Sequence, residues 1–394
     1  MTMLPSALRT DTHRPAVAAH GRDASVDAAR AVAIAGVVGG HWLVTGLVMD
    51  DAGAWRQASP LTAMPALVPV SWLLQTLGLF FFAGGFSAAR STGRRRSPAA
   101  LIRPLLLLLG SWTAALAVAA MLRTPRGTLR AIAVLVVSPL WFLLPYLALR
   151  LVTPVLTRLV DRSGPAAVAG PAIAVVAGSD AGLLPGWTAV PAAWSVPWVL
   201  GIALARGRRP TRGTPPAPGR RPTRDIAPAR GRRPPGAVLL LAGVTGMVVL
   251  VRGLGYPAAA VGVPGDGRSN LDPPSLFAVA LAAAQIGAFL LLRDRRRSPT
   301  RARSSAPSEG PGAGGGTAPN GGLVQAVNRA ALPIYLSHQS VLVAAAAIGG
   351  NTLVRPPADA SWIMLRAAWL PFLAFVLAAV TAPRWWTIRR AQGA

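Results

Sequence analysis

The 394-residue chain contains no cysteine and no lysine, and its single glutamate is Glu309. Without cysteine, the protein has no disulfide, no thiolate metal site and no cysteine nucleophile. Charged residues make up only 13% of the chain, well below the roughly 25% that is typical of soluble domains. The low share of charged residues argues against a soluble domain and directs attention to the apolar segments.

Carboxylates are also missing from the places where a transporter would use them. No aspartate or glutamate lies deep in any of the long apolar segments. Carboxylates at such depth are costly and mark the proton relays of pumps and transporters. The chain also lacks a strong internal repeat, from which many transporters are built. A proton-coupled carboxylate relay is therefore not expected.

The chain consists largely of long apolar segments. Hydrophobic residues make up 52% of it, and the mean hydropathy is +0.46. An apolar helix of about 20 residues spans the roughly 30 Å core of a bilayer. We therefore predict an all-α fold, a polytopic integral-membrane bundle of about ten transmembrane helices. The predicted spans lie near residues 28–48, 67–89, 101–121, 129–157, 165–179, 188–205, 236–252, 274–292, 323–348 and 361–381.

All 40 basic residues are arginines, and their distribution predicts the orientation. Five lie in 90–103, ten in 206–235 and six in 293–303, whereas the connections between them carry one or none in most cases. Loops rich in arginine stay on the cytoplasmic side of a membrane. With ten spans, this rule places both termini in the cytoplasm.

The net charge of +27 invites a nucleic-acid interpretation, because basic patches attract phosphate backbones. The arginines lie beside apolar spans without interleaved aromatic residues, so membrane lipid headgroups are the expected partners and nucleic acid is not. Arginine without lysine, with 37 prolines and 41 glycines, is typical of a GC-rich coding sequence. We expect a multi-pass protein of a bacterial cell membrane.

Composition also predicts the domain organisation. Residues 1–24 are polar and predict a disordered cytoplasmic tail, and residues 385–394 form a second short tail. Residues 25–384 form the membrane domain, interrupted by cytoplasmic loops at 206–235 and 298–321. Both loops are rich in proline, glycine or arginine, and neither can bury a core.

Ionisable residues within apolar spans are rare and are functional candidates. Here they are His41 in the first span and His338 in the ninth, with Asp27 and Arg30 at the start of the first span. Arg30 and His41 are eleven positions apart, which on a helix is about three turns and roughly 16 Å along one face. A structural interpretation stays open, in which Arg30 pairs with Asp27 as a helix-end anchor and both histidines only bond to backbone.

The segment VDAARAVAIAGVVGGHWLV resembles the first helix of the acyltransferase-3 family, whose members are membrane enzymes that acylate carbohydrates and related acceptors. That helix carries an aspartate, then an arginine and a histidine separated by ten residues. Asp27, Arg30 and His41 match these positions. Four further segments resemble the family in the same order: LFFFAGGFSAARS (79–91), PLWFLLPYLALRLVTPVL (139–156), SNLDPPSLFAVALAAAQ (269–285) and LPIYLSHQS (332–340).

The resemblance implies transfer of an acyl group, acetyl by analogy, from cytoplasmic acyl-CoA to a hydroxyl of a carbohydrate or related acceptor. Acyl-CoA is then a co-substrate, with no permanently bound cofactor and no metal. His41 acts as general base or acyl carrier, and Arg30 and Asp27 complete the catalytic set. The residues expected to bind substrate are Arg94, Arg95, Arg96, Arg103, Trp141, Tyr335 and His338.

The sequence departs from the family at Gly84, where a serine is frequent before the Gly85-Phe86 pair. A polar contact is expected to be lost there. Two other functions stay open. One is a transporter or flippase of a lipid-linked or acylated compound, and the other is a membrane scaffold that binds a partner through 206–235.

Overall fold

The computed structural model describes residues 23–91, 99–207, 236–265, 267–303 and 319–382. Helices make up most of this part, which confirms the predicted all-α fold. The helices are α1 (Ala24–Val44), α2 (Pro60–Ala63), α3 (Val68–Leu74), α4 (Leu77–Arg90), α5 (Ala99–Met121), α6 (Arg126–Val137), α7 (Leu143–Asp180), α8 (Ala189–Arg206), α9 (Gly236–Gly253), α10 (Leu276–Arg303), α11 (Pro319–Arg329), α12 (Ala331–Gly349) and α13 (Ala360–Thr381). The strands β1 (Gly46–Met49) and β2 (Trp55–Ala58) form one antiparallel hairpin after α1.

Eight helical segments of the described residues are long and apolar enough to cross a membrane. One of them, Arg126–Asp180, bends at Gly164, where a φ of 82° interrupts the helix. The chain is therefore a helical membrane protein. The count of ten spans and the cytoplasmic position of both termini stay predictions.

Helix α1 is fixed at its first turn by a buried ion pair. The Asp23 carboxylate caps the helix by accepting a hydrogen bond from the Ser25 N–H at 3.2 Å. The same carboxylate pairs with Arg293 of α10 at 2.8 Å, and both side chains are only 3% exposed. Asn328 of α11 donates to the carbonyl of Asp27 at 2.8 Å. These contacts set the position of α1 against two neighbouring helices.

The chain breaks its helical path between α3 and α4, at Gln75 and Thr76. The Thr76 hydroxyl donates to the Ala33 carbonyl of α1 at 2.8 Å, and the Gln285 amide of α10 donates to the Gln75 carbonyl at 2.9 Å. Non-helical backbone at membrane depth requires such partners or a cavity beside it. The break joins α1, α4 and α10 and leaves space beside the last turns of α1.

Helices α4 and α8 pack so closely that only glycine fits at their crossing. A Cβ at Gly85 would collide with the carbonyl of Trp198, and a Cβ at Gly201 would collide with the carbonyl of Phe82. Phe81 of α4 stacks on Trp194 of α8 with ring centroids 5.0 Å apart. Helix α4 in turn packs against α1, and its Phe80 ring centre lies 6.0 Å from the guanidinium carbon of Arg30.

Candidate active site

Arg30 and His41 lie on the same uninterrupted helix, α1. Arg30 is in its second turn, and His41 is in its last turn, where the chain leaves the helix for β1. The helical rise keeps the two side chains about 16 Å apart, so they do not contact each other. We call their surroundings the Arg30 end and the His41 end.

At the His41 end, α12 brings His338 against His41. The two imidazole rings have centroids 5.1 Å apart and are tilted by 48°. His338 is fully buried. The resemblance named both histidines, and the fold brings them together although they are far apart in sequence.

The backbone around His338 fixes the orientation of its ring. Nδ1 of His338 lies 2.6 Å from the carbonyl oxygen of Tyr335, and because a carbonyl only accepts, Nδ1 carries the proton and donates it. Nε2 is then the acceptor atom of the neutral ring, and it has no partner among the described residues. Trp42 of α1 donates to the His338 carbonyl at 3.0 Å and so ties α12 to the helix that carries His41.

A cavity of about 290 Å³, which we call the outer cavity, lies beside His41. Cavities of about 300–1,000 Å³ are typical of small-molecule sites. Its walls come from α1, the end of β2, the α3–α4 break, the turn before α7, the segment before α10, and α12. Besides His41, the side chains that line it include Gln57, Gln75, Trp141, Tyr335 and Gln339.

At the Arg30 end, the guanidinium lies among aromatic side chains. Nη2 of Arg30 donates to the Tyr146 hydroxyl of α7 over 3.5 Å, and the guanidinium carbon lies 6.0 Å from the centre of the Phe80 ring. Nε of Arg30 is buried and has no partner in the part of the chain that is described. The guanidinium therefore has bonding capacity left for an anionic group.

A narrow apolar cavity lies between the two ends. Its volume is about 20 Å³, room for about one water molecule. Its lining includes Ile34 and Val37 of α1 and Phe80, which also contacts Arg30. Tyr335 and Phe142 line both this cavity and the outer cavity, so the two adjoin. The arrangement is a line from the Arg30 guanidinium, through apolar side chains, to the imidazole of His41.

The remaining predicted residues lie at different places. Trp141 and Tyr335 line the outer cavity. The carboxylate of Asp27 has neither a hydrogen bond nor an ion pair with Arg30, although the three-residue spacing allows one. Arg103 lies near the start of α5 with an exposed side chain, and it has no hydrogen bond or ion pair to the described residues. The predicted contacts of Arg94, Arg95 and Arg96 lie outside the described residues.

Sequence reasoning missed four side chains that form or anchor the site. Tyr146 contacts Arg30, and Gln339 lines the outer cavity while its Oε1 atom is buried without a partner among the described residues. The pair of Asp23 with Arg293 anchors α1. Tyr146 and Gln339 stand within segments that carry the family resemblance, and Gln339 follows His338 directly. Their position in these segments, and the adjacency of Gln339 to His338, is the sequence signal that could have identified them.

No group of three or more histidine and carboxylate side chains among the described residues is placed to hold a metal ion. The glycines of α1 instead serve close contact. A Cβ at Gly36 would collide with the Thr76 side chain, and Gly40 faces Leu74 and lines the outer cavity. The site is therefore a pair of histidines, a distant guanidinium and the space that joins them.

Comparison with known proteins supplies the family. The model of the acyltransferase 3 family, described as an acyltransferase domain, matches residues 23–384. No curated protein and no solved structure matches the chain. The match begins at the residue that caps α1 and covers Arg30, His41 and all of the described helices up to α13. The chain therefore belongs to the acyltransferase 3 family and is a membrane acyltransferase.

Proposed function

We propose that this acyltransferase moves an acyl group, acetyl in the simplest case, from cytoplasmic acyl-CoA to a hydroxyl of a carbohydrate or related acceptor. Acyl-CoA enters at the Arg30 end, and the acceptor occupies the outer cavity. The observation that carries the proposal is the line from the Arg30 guanidinium, through the apolar cavity, to His41.

The shape of acyl-CoA fits this line. Its phosphates are anionic, its pantetheine arm is thin, and its thioester is at the far end. An arginine fork suits phosphate oxygens, and Nε of Arg30 is buried with no partner among the described residues. The apolar cavity of about 20 Å³ is too small for the arm, so the side chains of Phe80, Phe142 and Tyr335 must move for the arm to pass.

Two routes of transfer use the same residues. In the first, His41 takes the proton of the acceptor hydroxyl, and the oxygen attacks the thioester carbonyl. The C–S bond breaks, and the CoA thiolate leaves and takes up the proton. In the second, a nitrogen of His41 attacks the carbonyl, the C–S bond breaks, and the CoA thiolate leaves. The acyl group stays on His41 until the acceptor oxygen attacks its carbonyl and the N–C bond breaks, and the hydroxyl proton ends on the thiolate. His338, with Nδ1 bonded to the Tyr335 carbonyl, presents Nε2 as a second proton acceptor close to the reacting groups.

The test is the release of free CoA from acetyl-CoA by the purified protein in lipid, with neutral sugar acceptors added in a second series. A thiol-reactive dye reports the release without background, because the chain has no cysteine. General acid–base catalysis contributes about 10²- to 10⁴-fold, so we expect His41→Ala to lower the rate by at least about 100-fold.

A matched control removes another histidine. His20→Ala changes a histidine of the predicted N-terminal tail and is expected to leave the rate unchanged. Full activity of folded His41→Ala would contradict the assigned role. Substrate movement across vesicles without any consumption of CoA would favour the transporter interpretation instead.

A further inference from the structure

The outer cavity differs from the rest of the molecule in its charge. The chain contains 40 arginines, yet none of those that the structure describes lines this cavity. Besides the hydroxyl of Tyr335, its ionisable lining groups are the imidazole of His41 and the carboxylate of Asp272, which is exposed. Most of the other polar groups are neutral hydroxyls and amides, among them those of Gln57, Ser59, Gln75, Ser138, Ser269 and Gln339.

The arginines that flank the cavity in sequence are directed elsewhere. Arg268 precedes the lining residue Ser269, but its guanidinium lies 4.4 Å from the centre of the Tyr256 ring and donates to the Asp180 carbonyl at 3.3 Å. Arg56 precedes Gln57 on β2, is exposed, and points to the opposite face of the strand. Neither guanidinium lines the cavity. The buried Arg366 of α13 lies behind the cavity wall, where it donates to the carbonyl of the lining residue Thr45 at 3.3 Å.

A buried acceptor atom, Oε1 of Gln339, sets a second requirement for a ligand of the outer cavity. Gln339 is 3% exposed and lines the cavity, and its Oε1 atom has no hydrogen-bond partner in the described part of the chain. Burial of a polar atom without a hydrogen bond is costly. A hydroxyl or ammonium group of a ligand can donate to this oxygen, whereas a carboxylate or phosphate cannot.

We propose that the outer cavity selects an uncharged or amino-bearing hydroxyl compound and excludes anionic ones, with Asp272 supplying the charge selection. The identity of this ligand as the acyl acceptor rests on the proposed function. The electrostatic preference itself belongs to the cavity and can be measured without turnover. An acceptor carrying a uronate or a phosphate near the reacting hydroxyl would meet the carboxylate of Asp272 and no arginine among the described lining residues.

The absence of cysteine permits a direct test with charged thiol reagents. Ser138→Cys places one thiol in the cavity at an exposed residue. Its rate of modification by a cationic trimethylammonium methanethiosulfonate is divided by the rate with the anionic sulfonate reagent. Each rate is first normalised to the rate with a small free thiol. Asn351→Cys, on the exposed turn after α12 and away from the cavity lining, is the control.

We expect the cationic-to-anionic ratio at Ser138→Cys to exceed the control ratio by about three- to tenfold, the effect of one partly screened charge at close range. Adding Asp272→Asn should return the ratio to the control value. Equal ratios at the two positions, a preference for the anionic reagent, or failure of both reagents to reach Ser138→Cys would overturn the proposal. Loss of CoA release in the enzyme assay would instead count against the proposed function, because the cysteine measurement does not depend on transfer.

Discussion

The Arg30 end and the His41 end lie on one helix, α1, but they differ in charge, in hydrogen-bond partners and in surroundings. At the Arg30 end, the functional group is a cation among aromatic rings, and its hydrogen-bond partner is the hydroxyl of Tyr146. At the His41 end, the functional group is an imidazole beside a second histidine, His338, in a cavity that none of the described arginines lines.

This difference teaches how one helix can serve two substrates. The helix fixes only the separation of the two side chains, which is about 16 Å for eleven residues. The chemistry at each end comes from other helices, since Tyr146 lies 116 positions after Arg30 and the Trp42 hydrogen bond to His338 spans 296 positions. Under the proposed function, an anionic donor and an uncharged acceptor would meet through the apolar cavity between the ends.

Of the changes that separate the two ends, removal of the Arg30 guanidinium is expected to have the largest effect on kinetics. Arg30→Met should raise the KM for acetyl-CoA by about 10- to 100-fold, because a hydrogen bond to a charged group contributes about 1.5–3 kcal/mol. Arg30→Lys should lie between wild type and Arg30→Met, since it keeps the charge and loses the planar fork. The measurement is CoA release as a function of acetyl-CoA concentration.

The control for this series is Arg56→Met, which removes an exposed arginine of β2 outside both cavities. Its KM should match that of wild type. A fall of kcat in Arg30→Met with an unchanged KM would place Arg30 in the chemical step and remove the distinction between the two ends.

The sequence allowed the class of the fold to be predicted because apolar length is a local property. The apolar segments and the arginine-rich connections are visible without knowing which helix packs against which. The break at Gln75 and Thr76 was not predicted, because the apolar pattern continues through it from 67 to 89. The two residues are kept out of the helix by Ala33 and Gln285, which lie on other helices.

The site was predictable only in part for the same reason. Arg30 and His41 stand out because ionisable groups are rare in apolar helices. The spacing of Asp27 and Arg30 suggested an ion pair, whereas the guanidinium contacts Tyr146 of α7 instead. Gln339 was not predicted, because its one signal in the sequence is that it follows His338. A neutral amide becomes a clear candidate only when its burial and its unpaired oxygen are known.

Gly84, which stands where a serine is expected from the family resemblance, lies close to the Arg30 end only. Its substitution should have an effect between those of the other changes. A Cβ at Gly84 would lie 2.7 Å from the Trp198 ring and 2.9 Å from the Tyr146 ring. Gly84→Ser should therefore lower the free energy of unfolding by about 1–3 kcal/mol, the usual cost of overpacking. Because Tyr146 contacts Arg30, the KM for acetyl-CoA should also rise.

Gly110→Ser is the matched control, since a Cβ at this position of α5 meets no atom within 4 Å. The measurements are the thermal unfolding temperature in detergent and the KM for acetyl-CoA, each compared between Gly84→Ser and Gly110→Ser. If Gly84→Ser unfolds at the wild-type temperature with an unchanged KM, the close packing of Gly84 against Tyr146 does not control the Arg30 end.

The smallest expected effects come from one chemical change made at both ends, the removal of a tyrosine hydroxyl. Tyr146→Phe loses the hydroxyl that Arg30 contacts at 3.5 Å and keeps the ring between Phe80 and Trp198. Tyr335→Phe loses a buried hydroxyl that has no partner among the described residues and lies where the two cavities adjoin.

The net contribution of one hydrogen bond is about 0.5–1.5 kcal/mol, which corresponds to a change of about two- to tenfold in KM or kcat. We expect Tyr146→Phe to lie near the lower limit and to act on the KM for acetyl-CoA, because it alters only how the donor's anionic end is held. Tyr335→Phe should lower kcat and leave that KM unchanged, because Tyr335 lines the outer cavity, in which the proposed transfer takes place. If the two variants exchange these signatures, the donor lies at the His41 end and the assignment of the two ends must be reversed.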